Sequence, residues 1–226
     1  MTTPTAAALA ALIDHTFLKS SGSDTAIDAL CAEARQYGFG AVMVHPCEVA
    51  RCMRLLTGST VKVGTVTGFP LGQNTSAVKL AETRDSLARG AREIDLVMNI
   101  RALQAGDETY VRREFEELAT ACRTAGAISK VILETCCLTD DQKRFACRLA
   151  VEAGVDFVKT STGLATGGAT VADVRLMAAA VGGRARVKAA GGIRTLTDAL
   201  AMIEAGATRI GTSAGVAIIE ACTASA

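Results

Sequence analysis

The sequence is poor in the residues that build metal sites and linkers. It contains two histidines, three prolines and eight cysteines, and none of the cysteines forms a CxxC pair. So few imidazoles and no paired cysteine motif argue against a zinc site, and the cysteines are expected to be buried, reduced thiols. Three prolines in the whole chain also argue against a long linker.

The sequence also lacks an excess of positive or negative charge and any long apolar run. The 24 basic and 23 acidic residues nearly cancel, so nothing indicates a surface for nucleic acid or for anionic membranes. No apolar run approaches the roughly 18 residues that a membrane span requires. The N-terminal stretch has no basic cluster before its apolar residues and is predicted to form a leading helix, not a signal peptide. We therefore expect a cytoplasmic protein.

Short runs rich in valine and isoleucine alternate with longer helical patterns, and glycines follow several of the helices. The predicted strands are Ile13–Leu18, Ala41–His45, Val61–Thr67, Glu93–Asn99, Lys130–Thr135, Val155–Ser161, Ala185–Ala190 and Thr208–Thr212. The predicted helices include Asp24–Tyr37, Thr75–Arg89, Thr109–Thr124, Asp140–Ala153, Val171–Ala180 and Leu196–Ala205.

This alternation indicates right-handed βαβ units and a parallel sheet. Eight units without a long linker favour a closed barrel, with an open doubly wound sheet as the alternative. No GxGxxG motif follows the first strand to support dinucleotide binding. We predict an α/β fold, a single TIM (β/α)8 barrel with an extra N-terminal helix, over residues 1–226. That is slightly shorter than the usual length of about 250 residues.

Lys159 lies deep within an apolar strand, Val155–Ser161. The period of two places Phe157 and Lys159 on the same face. If that face lines the barrel, desolvation lowers the pKa of Lys159 and frees its amine as a nucleophile. The alternative is a lysine that snorkels into water or pairs with a carboxylate.

Lys188 repeats the pattern on the next strand, and repulsion between the two ammonium groups should help one of them lose its proton. The alternative for Lys188 is an ion pair with an inward carboxylate, and both descriptions can hold together. Asp95 and Asp14 are the candidate carboxylates, because a buried acid needs a partner that a lysine across the barrel can supply. A capping role for Asp14 stays open, and His15 and His45 are secondary candidates.

Glycine-rich loops follow the last two strands. Gly191 and Gly192 come after strand seven, and the segment Gly211–Gly215 comes after strand eight. Loops at these positions commonly bind phosphate in such barrels, because backbone N–H groups can approach it where no Cβ intervenes. Thr162 and Gly163 are candidates for a third side. Ordinary turn chemistry is the alternative for any one of these glycines.

These residues lie in segments that resemble class I deoxyribose-phosphate aldolase. The resemblance implies reversible cleavage of 2-deoxy-D-ribose 5-phosphate to D-glyceraldehyde 3-phosphate and acetaldehyde, without metal or cofactor, by a homodimer or homotetramer. The matching segments run from residue 14 to 215 and are Asp14-His15-Thr16, Gly68-Phe69-Pro70-Leu71-Gly72, Glu93-Ile94-Asp95-Leu96-Val97, Lys130-Val131-Ile132-Leu133-Glu134-Thr135, Val158-Lys159-Thr160-Ser161-Thr162-Gly163, Gly167-Gly168-Ala169-Thr170, Gly191-Gly192-Ile193-Arg194 and Arg209-Ile210-Gly211-Thr212-Ser213.

The resemblance also implies a role for each matched position. Lys159 would form the Schiff base, with Lys188, Asp95 and Asp14 as its catalytic partners. The implied phosphate contacts are Gly163, Gly191, Gly192, Ser213 and Ala214, and the implied substrate-lining residues are Thr16 and Thr160.

Two departures from the family pattern bear on the site. Arg101 stands where the family normally has glycine, and Ala214 replaces a common second serine, leaving its backbone N–H for phosphate. Three other functions stay open at this stage: a different Schiff-base aldolase, a sugar-phosphate isomerase and a non-catalytic phosphometabolite-binding barrel.

Overall fold

Eight parallel strands form a closed barrel in chain order in the computed structural model, which describes residues 4–225. The predicted barrel is therefore confirmed, and the open doubly wound sheet is excluded. The strands are β1 Ile13–Thr16, β2 Ala41–Val44, β3 Lys62–Thr67, β4 Glu93–Val97, β5 Ile128–Ile132, β6 Phe157–Lys159, β7 Arg186–Ala190 and β8 Arg209–Thr212.

Helices surround the barrel, and one short helix precedes the first strand, as predicted. None of the helices among residues 4–225 has the length and apolar character needed to span a bilayer. The helices are α1 Ala6–Ala10, α2 Asp24–Tyr37, α3 Val49–Leu55, α4 Ser76–Ala88, α5 Ile100–Gln104, α6 Glu108–Thr124, α7 Asp140–Glu152, α8 Val171–Val181, α9 Leu196–Glu204 and α10 Gly215–Ala224.

Local sequence explains where several helices begin and end. Thr139 and Gln142 form a capping box at the start of α7, and Thr195 and Asp198 form one at the start of α9. Helix α2 ends at Gly38, which has a φ of 70° that glycine adopts without a steric penalty. These local stops return the chain to the barrel for the next strand.

Every observed strand differs from its predicted range at one end or both, and β5 and β6 differ at both ends. Strand β6 is confined to Phe157–Lys159, because the Val155 N–H bonds back to Ala150 of α7 instead of joining the sheet. Strand β5 starts before Lys130 and ends at Ile132, and Glu134 then turns the chain with a φ of 56°. Both predictions continued past the C-terminal ends of the observed strands, although the N–H groups of Leu133 and Thr135 still donate to the carbonyls of Lys159 and Thr160.

Outward and inward strand residues have opposite characters. Outward residues such as Val131, Val158 and Ile210 pack in the apolar core between the barrel and its helices. Inward positions of β1 and β4 to β8 include lysine, aspartate and glutamate side chains that are completely or nearly buried, together with Arg209, whose side chain is 12% exposed. Barrel interiors are usually filled by branched apolar side chains, so this polar interior marks the region where function is to be sought.

Candidate active site

Lys159 lies in the interior of the barrel, at the C-terminal end of β6. Its side chain is only 4% exposed, and its Nζ donates a hydrogen bond of 2.8 Å to Asp95 Oδ2. Burial is the largest influence on its pKa and lowers it; Asp95 opposes this effect, whereas repulsion from Lys188 and Lys130 adds to it. The pKa of Lys159 consequently falls from an ordinary 10.5 to about 8. Far more of this amine is therefore uncharged near neutral pH than of an ordinary lysine.

Lys188 is the direct register partner of Lys159 on β7. Its Nζ lies 2.8 Å from Asp95 Oδ2, the same oxygen that accepts from Lys159, and it also pairs with Asp14. Gly211 of β8 provides the space, because a Cβ at that position would stand 3.1 Å from Lys188 Cε. The ion pair considered from sequence and the cation beside Lys159 are thus both present.

Asp95 and Asp14 are completely buried. Burial by itself would raise both pKa values, but the surrounding cations outweigh it. Lys130, Lys159 and Lys188 hold the pKa of Asp95 well below its usual range. Lys188 and Lys130, with a further contribution from Arg209, lower that of Asp14. Both groups therefore remain carboxylates that orient the lysines, and Asp14 has no capping role.

Sequence reasoning missed three charged residues that join this cluster. Lys130 Nζ lies 2.8 Å from Asp95 Oδ1 and 2.6 Å from Glu93 Oε2, and Arg209 pairs with Glu93. Burial lowers the pKa of Lys130, but Asp95, Glu93 and Asp14 together raise it above the ordinary lysine value, so Lys130 stays charged. The available sequence signal was alternation, since Glu93 and Asp95 share one face of a strand.

The predicted glycine loops come together above Lys188. Gly163, Gly191 and Gly192 have φ values of 84°, 92° and 80°. A Cβ on Gly191 would stand 3.3 Å from the Gly163 Cα and 3.1 Å from the Gly168 Cα, so the loops after β6 and β7 approach each other through backbone alone. This close approach leaves a backbone surface lined by glycines at the C-terminal ends of β6 and β7.

The loop after β8 leads directly into α10. Ser213 is exposed, and Ala214, the residue before the helix, has no side-chain group to cap it. The first N–H groups of α10 therefore point to an open end that suits an anion. The Ala214 N–H itself donates to Thr212 Oγ1 at 2.9 Å, so it is already engaged within the loop.

Glu134 contacts the loop after β6, and the sequence analysis assigned it no role. Its carboxylate accepts a hydrogen bond of 2.5 Å from the Thr162 hydroxyl and lies 3.3 Å from the Thr162 N. The end of β5 thereby holds the start of the β6 loop next to Gly163.

The two threonines predicted to line the substrate, Thr16 and Thr160, both form hydrogen bonds with the backbone. Thr16 is half-buried at the inward end of β1 and donates to the Asp14 carbonyl at 2.8 Å. Thr160 is fully buried, and its hydroxyl bonds to both the N–H and the carbonyl of Ala190. Thr160 therefore joins the ends of β6 and β7, and the backbone of Ala190 engages its hydroxyl both as donor and as acceptor.

The two histidines and Arg101 lie outside the lysine cluster. His15 points away from the barrel interior and contacts Glu33 at 2.6 Å. His45 is half-buried and packs edge-on against Phe69, with 6.1 Å between ring centroids. Arg101 is exposed at the start of α5.

Comparison with known proteins identifies related sequences and folds. The sequence model of the DeoC/LacD family of aldolases matches residues 8–221. The deoxyribose-phosphate aldolase of Bacteroides thetaiotaomicron is 59% identical over 94% of this chain and 90% of that protein. That of Thermoanaerobacter sp. is 53% identical over 94% and 96%. The solved structure of deoxyribose phosphate aldolase from Aeropyrum pernix, which is described as a unique tetramer, superposes with a TM-score of 0.91 at 34% identity, covering 98% and 94% of the two chains.

Proposed function

This chain belongs to the DeoC/LacD family of aldolases, and from that membership we propose that it is a deoxyribose-phosphate aldolase. The reaction is the reversible cleavage of 2-deoxy-D-ribose 5-phosphate to D-glyceraldehyde 3-phosphate and acetaldehyde. The observation that carries the proposal is the buried Lys159, with its pKa of about 8, beside Lys188 and below a cradle of glycine loops. A nucleophilic amine and an anion site are the two features that this reaction requires.

Lys159 acts as the nucleophile. Its uncharged amine attacks the C1 aldehyde of the open-chain sugar, and the carbinolamine loses water to give a protonated imine. This cation can accept the electron pair released when the C2–C3 bond breaks, so the mechanism requires neither a metal nor a separate cofactor.

Lys188 and Asp95 handle the protons. As the C2–C3 bond breaks, the C3 hydroxyl loses its proton to this pair through a water molecule, and glyceraldehyde 3-phosphate leaves. The same proton returns to C2 of the enamine, after which water hydrolyses the imine, releases acetaldehyde and restores Lys159. Lys188 donates to two carboxylates as a cation, so Asp95 is the member of the pair that can accept the proton, and its low pKa favours passing that proton on to C2.

The glycine loops bind the 5-phosphate. We propose contacts from Gly163, Gly191 and Gly192, from Ser213 and from the first turn of α10. Ala214 contributes less than the sequence suggested, because Thr212 already accepts its N–H. Binding at the remote phosphate fixes C1 against Lys159 and raises the rate of the chemical step.

Two assays test the proposal. With 2-deoxy-D-ribose 5-phosphate, acetaldehyde release should be measurable with a coupled dehydrogenase, and borohydride should add a stable mass to the peptide that contains Lys159. Lys159→Leu should abolish both signals, whereas replacement of the exposed Lys19 by leucine should change neither. Folded wild-type protein that releases no acetaldehyde and stays unlabelled would reject the assignment.

We also propose that the protein assembles as a homodimer or homotetramer. The tetrameric description of the Aeropyrum pernix relative supports assembly. Light scattering in solution tests it, because a mass of 23.3 kDa would identify a monomer instead.

A further inference from the structure

Six charged residues of the barrel interior form a closed circuit of ion pairs in which positive and negative groups alternate. Starting at Asp95, each side chain pairs with the next and the last returns to Asp95. We call this circuit the charge ring; its members in order are Asp95, Lys130, Glu93, Arg209, Asp14 and Lys188.

Glu93 and Arg209 form the side of the charge ring farthest from Lys159. Glu93 is completely buried and contacts Lys130 Nζ at 2.6 Å on one side and Arg209 on the other. Arg209 Nε lies 3.0 Å from Asp14 Oδ1. The contacts through Glu93 Oε2 and Arg209 Nε are close ion pairs without hydrogen-bond alignment, whereas Arg209 Nη2 donates a hydrogen bond to Glu93 Oε1.

The charge ring is electrically balanced without Lys159. The ring contains three carboxylates and three cations, so it is neutral as a unit. Lys159 is attached to it through Asp95 alone, at 2.8 Å, and its ammonium form would be an additional positive charge in a buried space. Burying an uncompensated charge is costly, so a neutral ring favours the free amine.

We propose that the charge ring gives Lys159 surroundings with no net charge. Glu93 and Arg209 are then positioning residues that fix the charge state of Lys159 without touching substrate. The inference rests on the proposed function only in taking Lys159 as the nucleophile. It assigns a role to two residues that the reaction steps above do not use.

The other strands leave this balance unchanged. Strands β2 and β3 direct Met43, Gly64 and Val66 toward the interior, and none of these carries charge. Arg186 at the start of β7 lies over the Phe157 ring at 4.0 Å, but it is exposed and therefore screened by solvent. The charged groups that act directly on Lys159 are Asp95, Lys188 and Lys130.

Two substitutions of opposite charge test the proposal. Glu93→Gln makes the charge ring positive and should move the acidic limb of the kcat/KM profile for 2-deoxy-D-ribose 5-phosphate to lower pH. Arg209→Met makes the ring negative and should move that limb to higher pH. Each shift should be on the order of one pH unit, as expected for a unit charge about 10 Å away at an effective dielectric of about 20.

Controls separate charge from structure. Arg209→Lys keeps the charge and should keep the wild-type limb even if its rate falls. The double variant Glu93→Gln/Arg209→Met restores neutrality, so it should return the limb to the wild-type position and unfold at a higher temperature than either single variant. A purely structural role would lower rates without moving the limbs in opposite directions.

The outcomes distinguish this inference from the proposed function. Opposite limb shifts that cancel in the double variant support it. Limbs that stay in place or move together overturn it, as does a double variant that is less stable than both single variants or is not recovered folded. If the wild type released no acetaldehyde, the proposed function would fail instead, before any variant was compared.

Discussion

At the level of single residues, Lys159 meets two opposing demands. It must be buried deeply enough to lose its proton, yet a hydrogen bond must still direct it toward the substrate. Asp95 Oδ2 supplies that bond at 2.8 Å and favours the ammonium form, whereas burial and the neighbouring cations favour the amine. The second group of effects is larger, so the net shift of its pKa is downward.

Replacing Lys159 by leucine should abolish turnover and stabilise the fold. At pH 7 the lowered pKa corresponds to a cost on the order of 3 kcal/mol for the buried ammonium, which leucine does not incur. We expect the thermal unfolding midpoint to rise by several degrees in calorimetry.

The pH dependence of this gain has a definite sign. A lysine with a lowered folded pKa destabilises the fold fully below that value, here about 8, and the cost disappears as pH rises toward its ordinary value of 10.5. The advantage of Lys159→Leu should therefore shrink over this interval. Lys19→Leu, at an exposed site, serves as the control, and an equally large gain there would contradict the explanation.

Some residues of the site could be predicted from the sequence, and others could not. Lys159 and Lys188 were predictable because a lysine within an apolar strand is rare enough to be informative. Lys130 and Glu93 stood at the first position of predicted strands, where charge is ordinary, and Arg209 stood at the second. Their importance comes from pairing across the barrel, which depends on strand register and side-chain reach that the linear sequence does not specify.

At the level of elements, the βα repeat could be predicted because each helix and strand has its own hydrophobic periodicity and its own capping or terminating residues. Strand ends were less accurate, as Val155 shows, because a valine that completes a helix end resembles one that begins a strand. The glycine loops were predicted by position, but the contact of Gly191 with Gly163 and Gly168 depends on the loops after β6 and β7 meeting in space.

The cradle formed by these loops should fail if Gly191 gains a side chain. In Gly191→Ala the new Cβ would press on Gly163 and Gly168, and its φ of 92° is unfavourable for alanine. We expect KM for the phosphorylated substrate to rise about tenfold or more, equivalent to about 1.4 kcal/mol, with little change for unphosphorylated 2-deoxyribose.

Gly182→Ala provides the matched control for this substitution. Gly182 has a φ of 56°, ends α8 and would place its Cβ in open space, so alanine there also adopts a left-handed backbone, but away from the cradle. Its kinetics should match the wild type. A rise in KM for both substrates in Gly191→Ala would indicate general damage rather than loss of phosphate binding.

At the level of the whole molecule, closure of the barrel creates the environment of the nucleophile. Five of the eight strands, β1, β4, β5, β7 and β8, contribute the charged groups around Lys159, which itself lies on β6. Hydrophobic packing outside the barrel holds these strands in register, so the energy that buries the charges comes from the surrounding apolar core. The low pKa of one amine is therefore a property of the complete closed barrel.

The rate of imine capture as a function of pH tests this claim most directly. Wild-type protein is incubated with acetaldehyde and cyanoborohydride over a pH series, and labelling of the Lys159 peptide is followed by mass spectrometry, with Lys159→Leu as the blank. The capture rate should rise with a midpoint at about pH 8. A midpoint near 10.5, the ordinary value for lysine, would contradict the account.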